Sequence, residues 1–169
     1  IYKTIERNLA KKSTKIIAIS PIQKKELSTI HKIAKPNKIE VIPLGFDLNK
    51  FRENQKDKRN SFRQKWLIED DEIAIGIIGR LVPIKNHHFF LNVAKKVSER
   101  STKKVRFLII GDGELRFELE NYCKQLKIDF SKEKNTRKAL LTFTSWITDI
   151  DIALAGLDIV ALTSKNEGT

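Results

Sequence analysis

Cysteine is nearly absent from this chain of 169 residues, and methionine is missing entirely. The single Cys123 excludes a framework of disulfide bonds, so the sequence predicts a protein of a reducing compartment, the cytoplasm. Because Cys123 falls on the apolar side of an expected helix, we interpret it as a small core residue and not as a reactive thiol. A chain that begins at Ile1 and contains no methionine also indicates a piece of a longer protein.

Long apolar runs are absent as well, although 40% of the residues are hydrophobic. No stretch approaches the ~20 apolar residues that a membrane-spanning helix requires, and the first residues lack the pattern of a secretion signal. The length suits one packed core, or one domain with a piece of another. The composition therefore predicts a soluble globular protein.

Acidic residues are scarce in the first part of the chain. The whole chain carries a formal charge of +12, and residues 1–65 hold 17 lysines and arginines against 6 acids, a net of +11. This asymmetry indicates a basic lobe that faces an anionic surface such as a membrane. A lysine-rich solvated exterior explains it equally well. Aromatic residues are not interleaved with the basic ones, which disfavours a nucleic-acid platform.

Apolar segments alternate with helical patterns along the chain. Ile73–Ile78 is apolar without alternation, as expected for a strand buried on both faces of a parallel sheet. Strands that alternate with helices predict right-handed crossovers, so the fold class is α/β with a doubly wound parallel sheet. A strand, a helix and another strand precede this sheet. The expected strands are residues 15–20, 39–44, 73–78, 105–110, 140–146 and 159–162.

Two helices are expected near the amino end. Ile1, Ile5 and Leu9 repeat at helical spacing between lysines and arginines, so this helix either contacts lipid headgroups or packs on a sheet, and packing is the commoner outcome. Ser20 and Gln23 form the pattern of a capping box at the start of the second helix. From position 47 to 65 the residues are mostly charged or polar, which predicts a connection with a short helix at about 60–67.

The loop after the third expected strand carries the clearest functional pattern. Gly79 permits a sharp turn, Arg80 and Lys85 stand on either side of Pro83, and a helix begins near position 87. Two cations beside the amino terminus of a helix, at the carboxyl end of a parallel strand, suit a diphosphate.

Two further patterns, one of glycines and one of aspartates, are better explained by a structural role than by ligand binding or catalysis. Gly111 and Gly113 follow a strand, but position 116 is arginine, so the dinucleotide fingerprint is incomplete and a tight turn is expected. Asp149 and Asp151 lie in the first turn of an expected helix, where the helix dipole stabilises them.

Metal ligation and nucleophilic catalysis have no support in the sequence. His87 and His88 are adjacent and point away from each other on a helix, with no third ligand at a usual spacing. No nucleophile–base triad and no phosphate loop of the Walker type is present. We expect neither a metal nor a cofactor.

Four motifs follow one another along the chain in the order and spacing that are typical of a known family. They are Val41–Asp47, Gly79–Asn86, Leu108–Leu115 and Leu162–Thr169. With these motifs the sequence resembles the GT-B-type retaining glycosyltransferases that use nucleotide sugars, the group 1 family, from about Ser13 to Thr169. The resemblance implies Rossmann-like lobes: 1–47 is the end of the amino-terminal acceptor lobe, 48–68 is a charged connection, and 69–169 is a truncated donor-binding lobe.

The resemblance also implies roles for single residues. Arg80 and Lys85 match the pair that binds the donor diphosphate and neutralises the leaving group. Trp146 and Ile147 match the region that holds the nucleotide base, and Glu167 matches the first acid of an acid-x7-acid motif that contacts the donor sugar. The residues with catalytic roles would be Arg80, Lys85 and Glu167. The donor-binding residues would be Gly79, Arg80, Lys85, Trp146, Ile147, Glu167, Gly168 and Thr169.

The implied reaction moves a sugar from a nucleoside diphosphate to an acceptor hydroxyl with retention of configuration. The acceptor would be a polysaccharide or a lipid-linked glycan, and the protein would work in the cytoplasm, at the inner face of the cell membrane. By the same resemblance the second acid lies beyond Thr169, so this piece alone is expected to transfer no sugar. A sugar-nucleotide epimerase or phosphorylase of the same fold, or a non-catalytic basic module that docks on membranes or nucleic acid, remain alternatives.

Overall fold

The computed structural model describes residues 2–133 and 137–167. Their contacts divide them into two compact units. The first unit comprises residues 2–47 together with Glu167, and the second comprises residues 48–166.

The first unit contains two α-helices, a π-helical segment Glu26–Ile30 that continues the second of them, a 3-10 turn Pro36–Lys38, and a pair of parallel strands. Its elements are α1 (Tyr2–Lys12), β1 (Ile16–Ala18), α2 (Pro21–Lys25) and β2 (Ile39–Val41). Strand β1 pairs with β2 in parallel, with Ile16 opposite Ile39. The capping box is confirmed: the Gln23 N–H donates to Ser20 Oγ at 3.1 Å, and the Ile19 N–H donates to Gln23 Oε1 at 2.8 Å. The predicted strand, helix and strand are therefore all present.

Helix α1 exposes the apolar residues that its sequence aligns. Ile5 is 51% exposed and Leu9 is 59% exposed, whereas Ala10 is buried. Within the described part of the chain, the packing that we favoured for this face is not present. The guanidinium of Arg7 instead fixes the helix by donating to the carbonyls of His31 and Lys32, at 2.8 and 3.1 Å.

The second unit is built on a parallel sheet of five strands in the order β5–β6–β4–β3–β7. Its strands are β3 (Ile73–Ile78), β4 (Val105–Ile110), β5 (Phe130–Lys132), β6 (Leu141–Ser145) and β7 (Ile159–Ala161). Its helices are α3 (Gln55–Lys65), α4 (His87–Arg100), α5 (Arg116–Gln125) and α6 (Ile150–Gly156). Among the described residues, no helix combines the length and the apolar content needed to cross a bilayer.

Hydrophobic residues cover both faces of this sheet. Along β4, Phe107 and Ile109 pack with α4 and α5, whereas Leu108 and Ile110 pack with α3 and α6. Successive side chains of a strand point to opposite faces, so the two clusters lie on opposite sides of the sheet. The prediction of a doubly wound parallel α/β fold is therefore confirmed.

Strand β5 was not predicted, because its three residues include only one apolar side chain. It pairs in parallel with β6 at the edge of the sheet. The hydroxyls of Ser131 and Thr142 lie 3.0 Å apart in a buried hydrogen bond between these two strands. A buried polar pair of this kind leaves no mark in the hydrophobic pattern.

Helix α3 begins five residues before the helix expected at 60–67, and it packs against α6. Arg63 of α3 is 3% exposed, and its guanidinium donates to Asp158 Oδ2 at 3.2 Å and to the carbonyl of Glu72 at 2.7 Å. The same Asp158 oxygen accepts from the N–H of Ala74 at 2.7 Å. Since Ala74 belongs to β3 and Asp158 immediately precedes β7, these bonds anchor the charged segment to the sheet.

Candidate functional site

The loop after β3 brings Lys85 over Gly79. Gly79 has a φ of +153°, which residues with a side chain rarely adopt, and its N–H donates to the carbonyl of Ile110 at 2.9 Å. A Cβ placed on Gly79 would lie 3.6 Å from Cε of Lys85. The chain returns through a 3-10 turn, Pro83–Lys85. Lys85 is therefore held at the carboxyl end of a central strand.

Arg80 lies in the same loop and is exposed. Within the described ranges, its guanidinium takes part in no ion pair and no hydrogen bond. The carbonyl of Arg80 accepts from the N–H of Val82 at 2.9 Å, which tightens the turn behind it. A guanidinium presents paired N–H groups that match two oxygens of a phosphate. Arg80 is thus available to an anionic ligand that reaches this edge.

Helix α4 starts immediately after this loop. The residue before it, Asn86, has a φ of +55°, and its side chain does not cap the helix. Backbone N–H groups in a first turn lack intrahelical partners and carry partial positive charge. The amino terminus of a 14-residue helix therefore adds to the positive character of the loop that holds Arg80 and Lys85.

His87, the first residue of α4, is fully buried. Neither of its ring nitrogens has a hydrogen-bond partner among the described residues. Burial lowers the pKa of His87 to about 4, and the nearby His88 and Lys85 act in the same direction. His87 is therefore neutral at physiological pH, and it adds no charge to the site.

The loop after β4 touches the loop after β3 through two glycines. The φ of Gly111 is +136°, and a Cβ at this position would lie 2.1 Å from the carbonyl oxygen of Gly79. That distance is far inside van der Waals contact, so only glycine fits. The N–H of Leu81 donates to the carbonyl of Asp112 at 3.0 Å, which joins the two loops again. The tight turn predicted at Gly111 and Gly113 is observed.

Asp112 connects the loop after β4 to the end of β6. Its Oδ1 accepts from the N–H of Gly113 at 2.8 Å, and its Oδ2 accepts from the hydroxyl of Ser145 at 2.9 Å. The carbonyl of Ser145 accepts in turn from the N–H of Gly111 at 2.9 Å. Asp112 does not cap α5, whose first residue is Arg116.

Trp146 and Ile147 follow β6 directly. Trp146 is 59% exposed, whereas Ile147 is half-buried against the cluster formed by α3 and α6. An exposed aromatic face beside a fixed backbone is a suitable surface for stacking a planar base. The predicted base-binding residues therefore lie at the same edge as Arg80 and Lys85.

The loop after β7 is bonded to the loop after β3. The hydroxyl of Thr163 donates to the carbonyls of Lys85 and Asn86, at 2.9 and 3.3 Å. The N–H of Lys165 donates to the carbonyl of Ile84 at 2.9 Å. The loops after β6, β4, β3 and β7 are thus bonded one to the next, in the order of their strands.

Three of the predicted donor-binding residues lie at the end of the chain. Glu167 groups with the first unit, whereas Arg80 and Lys85 lie in the second. Gly168 and Thr169 lie outside the described residues. The roles expected of these three residues remain predictions.

Asp149 and Asp151 lie at the start of α6. Asp151 pairs with Lys58 at 2.9 Å, and a hydrogen bond from Lys58 lowers the pKa of this carboxyl group. The carboxylate of Asp151 is therefore engaged in an ion pair with Lys58. In the part of the chain that the structure describes, no three histidine, cysteine, aspartate or glutamate residues converge as metal ligands.

Ser145, Asp112 and Thr163 were not singled out as members of the site. Each is a short polar residue within two positions of the carboxyl end of a strand of the parallel sheet, and ligands of parallel sheets gather there. That position was the available signal. Their partners, however, lie 33 and 78 residues away in the sequence.

Comparison with protein families supplies an independent finding. The family model described as glycosyl transferases group 1 matches residues 58–169. The chain is 32% identical over 170 residues to an Escherichia coli UDP-Gal:alpha-D-GlcNAc-diphosphoundecaprenol alpha-1,3-galactosyltransferase. That match covers 99% of this chain and 41% of the relative, so the chain spans less than half of the relative's length.

Solved structures match the fold. Anabaena HepE in complex with UDP superposes with a TM-score of 0.75 at 23% identity, over 98% of this chain and 43% of HepE. The complex of HepE with UDP-glucose gives a TM-score of 0.75 at 22% identity, over 97% and 43% of the two chains. At these identities the likeness concerns the fold alone, and it confirms the Rossmann-like α/β architecture of GT-B glycosyltransferases.

Proposed function

This chain belongs to the family of group 1 glycosyl transferases, and from that premise we propose that its protein transfers a sugar from a nucleoside diphosphate to an acceptor hydroxyl. The observation that carries the proposal is the loop after β3, in which Arg80 and Lys85 meet the amino terminus of α4. These groups provide fixed positive charge where a donor diphosphate would lie.

The chemistry of such a site is electrostatic. When the bond between the sugar and the diphosphate breaks, negative charge grows on the departing phosphate oxygens. Arg80 binds two of these oxygens and Lys85 supplies a point charge, so both bind the transition state more tightly than the intact donor. In this scheme Glu167 contacts the donor sugar, no metal takes part, and the configuration at the sugar carbon is retained.

The nucleotide is proposed to be uridine diphosphate. The E. coli relative acts on UDP-Gal by its name, and HepE was solved with UDP and UDP-glucose. The exposed Trp146 offers an aromatic face on which uracil can stack, and Ile147 is the next residue of the same loop. These similarities support a UDP-sugar as the donor.

A lipid-linked glycan at the cytoplasmic face of the membrane is the proposed acceptor. The name of the E. coli relative includes a diphosphoundecaprenol-linked sugar. In the first unit, α1 exposes Ile5 and Leu9, and its last turn carries Lys11 and Lys12. An apolar stripe among basic residues suits the surface of an anionic membrane, where such acceptors are anchored.

A transfer assay tests this function on the longest natural protein that contains the chain. UDP-glucose, UDP-galactose and UDP-N-acetylglucosamine are each incubated with a polyprenyl diphosphate-linked N-acetylglucosamine, and the products are resolved by mass spectrometry and proton NMR. We expect one added hexose whose anomeric coupling matches that of the donor. Isomerised donor without transfer would identify an epimerase instead, and the absence of any UDP binding would reject a UDP-sugar as the donor.

A further inference from the structure

Ser145 stands in a backbone conformation that its residue type avoids. Its φ is +58°, in the left-handed region, where the backbone of a residue other than glycine is strained. The register between β4 and β6 also shifts at this point, because Ile109 lies opposite Phe143 but Ile110 lies opposite Ser145. The chain therefore turns away from the sheet at Ser145, and Trp146 is the next residue.

Neighbouring groups hold Ser145 in this conformation. Its carbonyl accepts from the N–H of Gly111 at 2.9 Å and from the hydroxyl of Thr144 at 3.0 Å. Its hydroxyl donates to Oδ2 of Asp112 at 2.9 Å. Strain of this kind persists only where the surroundings determine it, and it concentrates where ligands bind. Of these bonds, only the one to Asp112 uses the serine side chain.

Asp112 is itself fixed at both ends of its carboxylate. Oδ1 accepts from the N–H of Gly113, whose turn packs against Leu81, and Oδ2 receives the serine hydroxyl. Arg116 lies 4.0 Å away and adds a favourable charge. The aspartate thus transmits the rigid geometry of the loop after β4 to the end of β6.

We propose that Asp112 is a positioning residue for nucleotide selection: through Ser145 it sets the direction in which Trp146 leaves the sheet, and so the surface on which the base stacks. This inference rests on the proposed function, because it assumes that a nucleoside diphosphate occupies the edge. Asp112 does not touch the diphosphate in this scheme. Its removal therefore weakens recognition of the base and leaves recognition of the phosphates intact.

Calorimetry on the full-length protein separates these two contributions. UDP and inorganic pyrophosphate are titrated into the wild type and into the Asp112→Ala, Ser145→Ala and Asp112→Asn variants. We expect Ser145→Ala, which removes one hydrogen bond, to weaken UDP binding about three- to tenfold with pyrophosphate binding unchanged. Asp112→Ala also removes the bond from the Gly113 N–H, so we expect it to weaken UDP binding at least as much, again with pyrophosphate binding unchanged. The double variant Asp112→Ala/Ser145→Ala is expected to match Asp112→Ala, because the serine hydroxyl has already lost its partner in that variant. Asp112→Asn keeps a hydrogen-bonding oxygen and is expected to stay nearer to the wild type.

Trp146 fluorescence gives a second measurement. If Asp112 and Ser145 had a purely structural role, their replacement would not alter the quenching of this indole by UDP in the same way. Subtracting the signal of a Trp146→Phe variant isolates this indole, and UDP is expected to quench it less in Ser145→Ala than in the wild type. Asp71→Ala is the matched control, since Asp71 pairs with Lys104 near the amino ends of β3 and β4.

Each outcome bears on the proposal. Equal losses for UDP and pyrophosphate, or unchanged UDP binding in both alanine variants, would overturn it. If Asp112→Ala fails to fold, the Ser145→Ala result decides the question alone. Failure of the wild type to bind UDP would instead reject the proposed function, which is a separate result.

Discussion

The hydroxyl of Thr163 donates to the backbone carbonyl of Lys85 at 2.9 Å. Through this bond, the loop after an edge strand fixes the loop that carries the cations. Lys85 is thus positioned from two sides, by Gly79 beneath its side chain and by Thr163 behind its carbonyl. The position of this cation is a property of two loops together.

Replacing Thr163 with valine is expected to weaken phosphate binding. Valine keeps the shape of threonine but leaves the carbonyls of Lys85 and Asn86 without the hydroxyl, at a cost of ~0.5–1.5 kcal/mol for one hydrogen bond. We expect two- to tenfold weaker binding of both UDP and pyrophosphate by calorimetry. Thr102→Val is the control, because Thr102 is exposed and lies before β4, away from the site. Unaltered pyrophosphate binding in Thr163→Val would mean that this bond does not position Lys85.

The cations of the loop are expected to act on turnover as well as on affinity. Arg80→Ala and Lys85→Ala each remove a charge-assisted contact of ~1.5–3 kcal/mol. Because charge grows on the diphosphate in the transition state, kcat is expected to fall together with donor affinity. Steady-state kinetics of the full-length enzyme measure both quantities. Lys103→Ala, at the opposite end of the sheet, serves as the control, and wild-type kinetics in the double variant Arg80→Ala/Lys85→Ala would refute the assignment.

The buried His87 is expected to make the fold sensitive to mild acid. Its pKa is lowered to about 4 in the folded state, against an ordinary value of 6.5. Between these values the unfolded chain binds a proton that the folded chain does not, so stability falls as the pH drops from 6.5 towards 4. The expected loss is of the order of 3 kcal/mol. Urea unfolding at pH 7 and pH 4.5 measures it.

Variants of two neighbouring histidines test whether this loss of stability in acid arises from His87. The His87→Gln variant removes the buried imidazole and is expected to lose less stability between the two pH values than the wild type. His88→Gln leaves the buried imidazole of His87 in place and removes only a lesser cause of its lowered pKa, so this variant is expected to keep most of the loss. Identical pH dependence in wild type and His87→Gln would show that the loss arises from other groups.

Much of the sheet could be predicted from the sequence because its central strands are almost entirely apolar. Strands β3 and β4 were predicted to the residue, since burial on both faces favours apolar side chains, and Arg106 is the one charged side chain in these two strands. Strand β5 and the first turns of α3 were missed because they are mostly polar or charged. Their stability comes from a buried Ser131–Thr142 bond and from packing against α6.

The site was predictable in its position but not in its internal bonds. A glycine, two cations and a helix start after a buried strand are visible as a local pattern. The bonds from Thr163 to Lys85 and from Ser145 to Asp112 join residues far apart in the sequence, and neither hydrogen bonding nor left-handed backbone at a serine follows from composition. The assignment of Glu167 to the first unit also depends on contacts that no local pattern contains.

Membrane docking is expected to depend on the first unit. Binding of the full-length protein to vesicles should require acidic lipid and weaken as salt shortens the Debye length below ~10 Å. The Lys3→Glu/Lys11→Glu variant of α1 should bind such vesicles at least about tenfold more weakly, since each basic residue near the surface contributes ~1 kcal/mol. Lys95→Glu/Lys96→Glu in α4 makes the same charge change in the second unit and should bind more nearly as the wild type does. Equal binding to neutral vesicles would contradict this prediction.

Strand β4 lies between two hydrophobic clusters that share no residue. Water reaches its backbone amides only after one cluster has separated from the sheet and the hydrogen bonds to β3 or β6 have broken. Amide hydrogen exchange in β4 should therefore be the slowest in the second unit and should require nearly complete unfolding. The edge strands β5 and β7 have neighbours on one side only and should exchange through smaller openings. At the edge of the sheet where the donor is proposed to bind, the amides of β4 would then exchange slowly and those of β5 and β7 would exchange faster. Ligand binding should therefore be detected as increased protection of the amides in the edge strands.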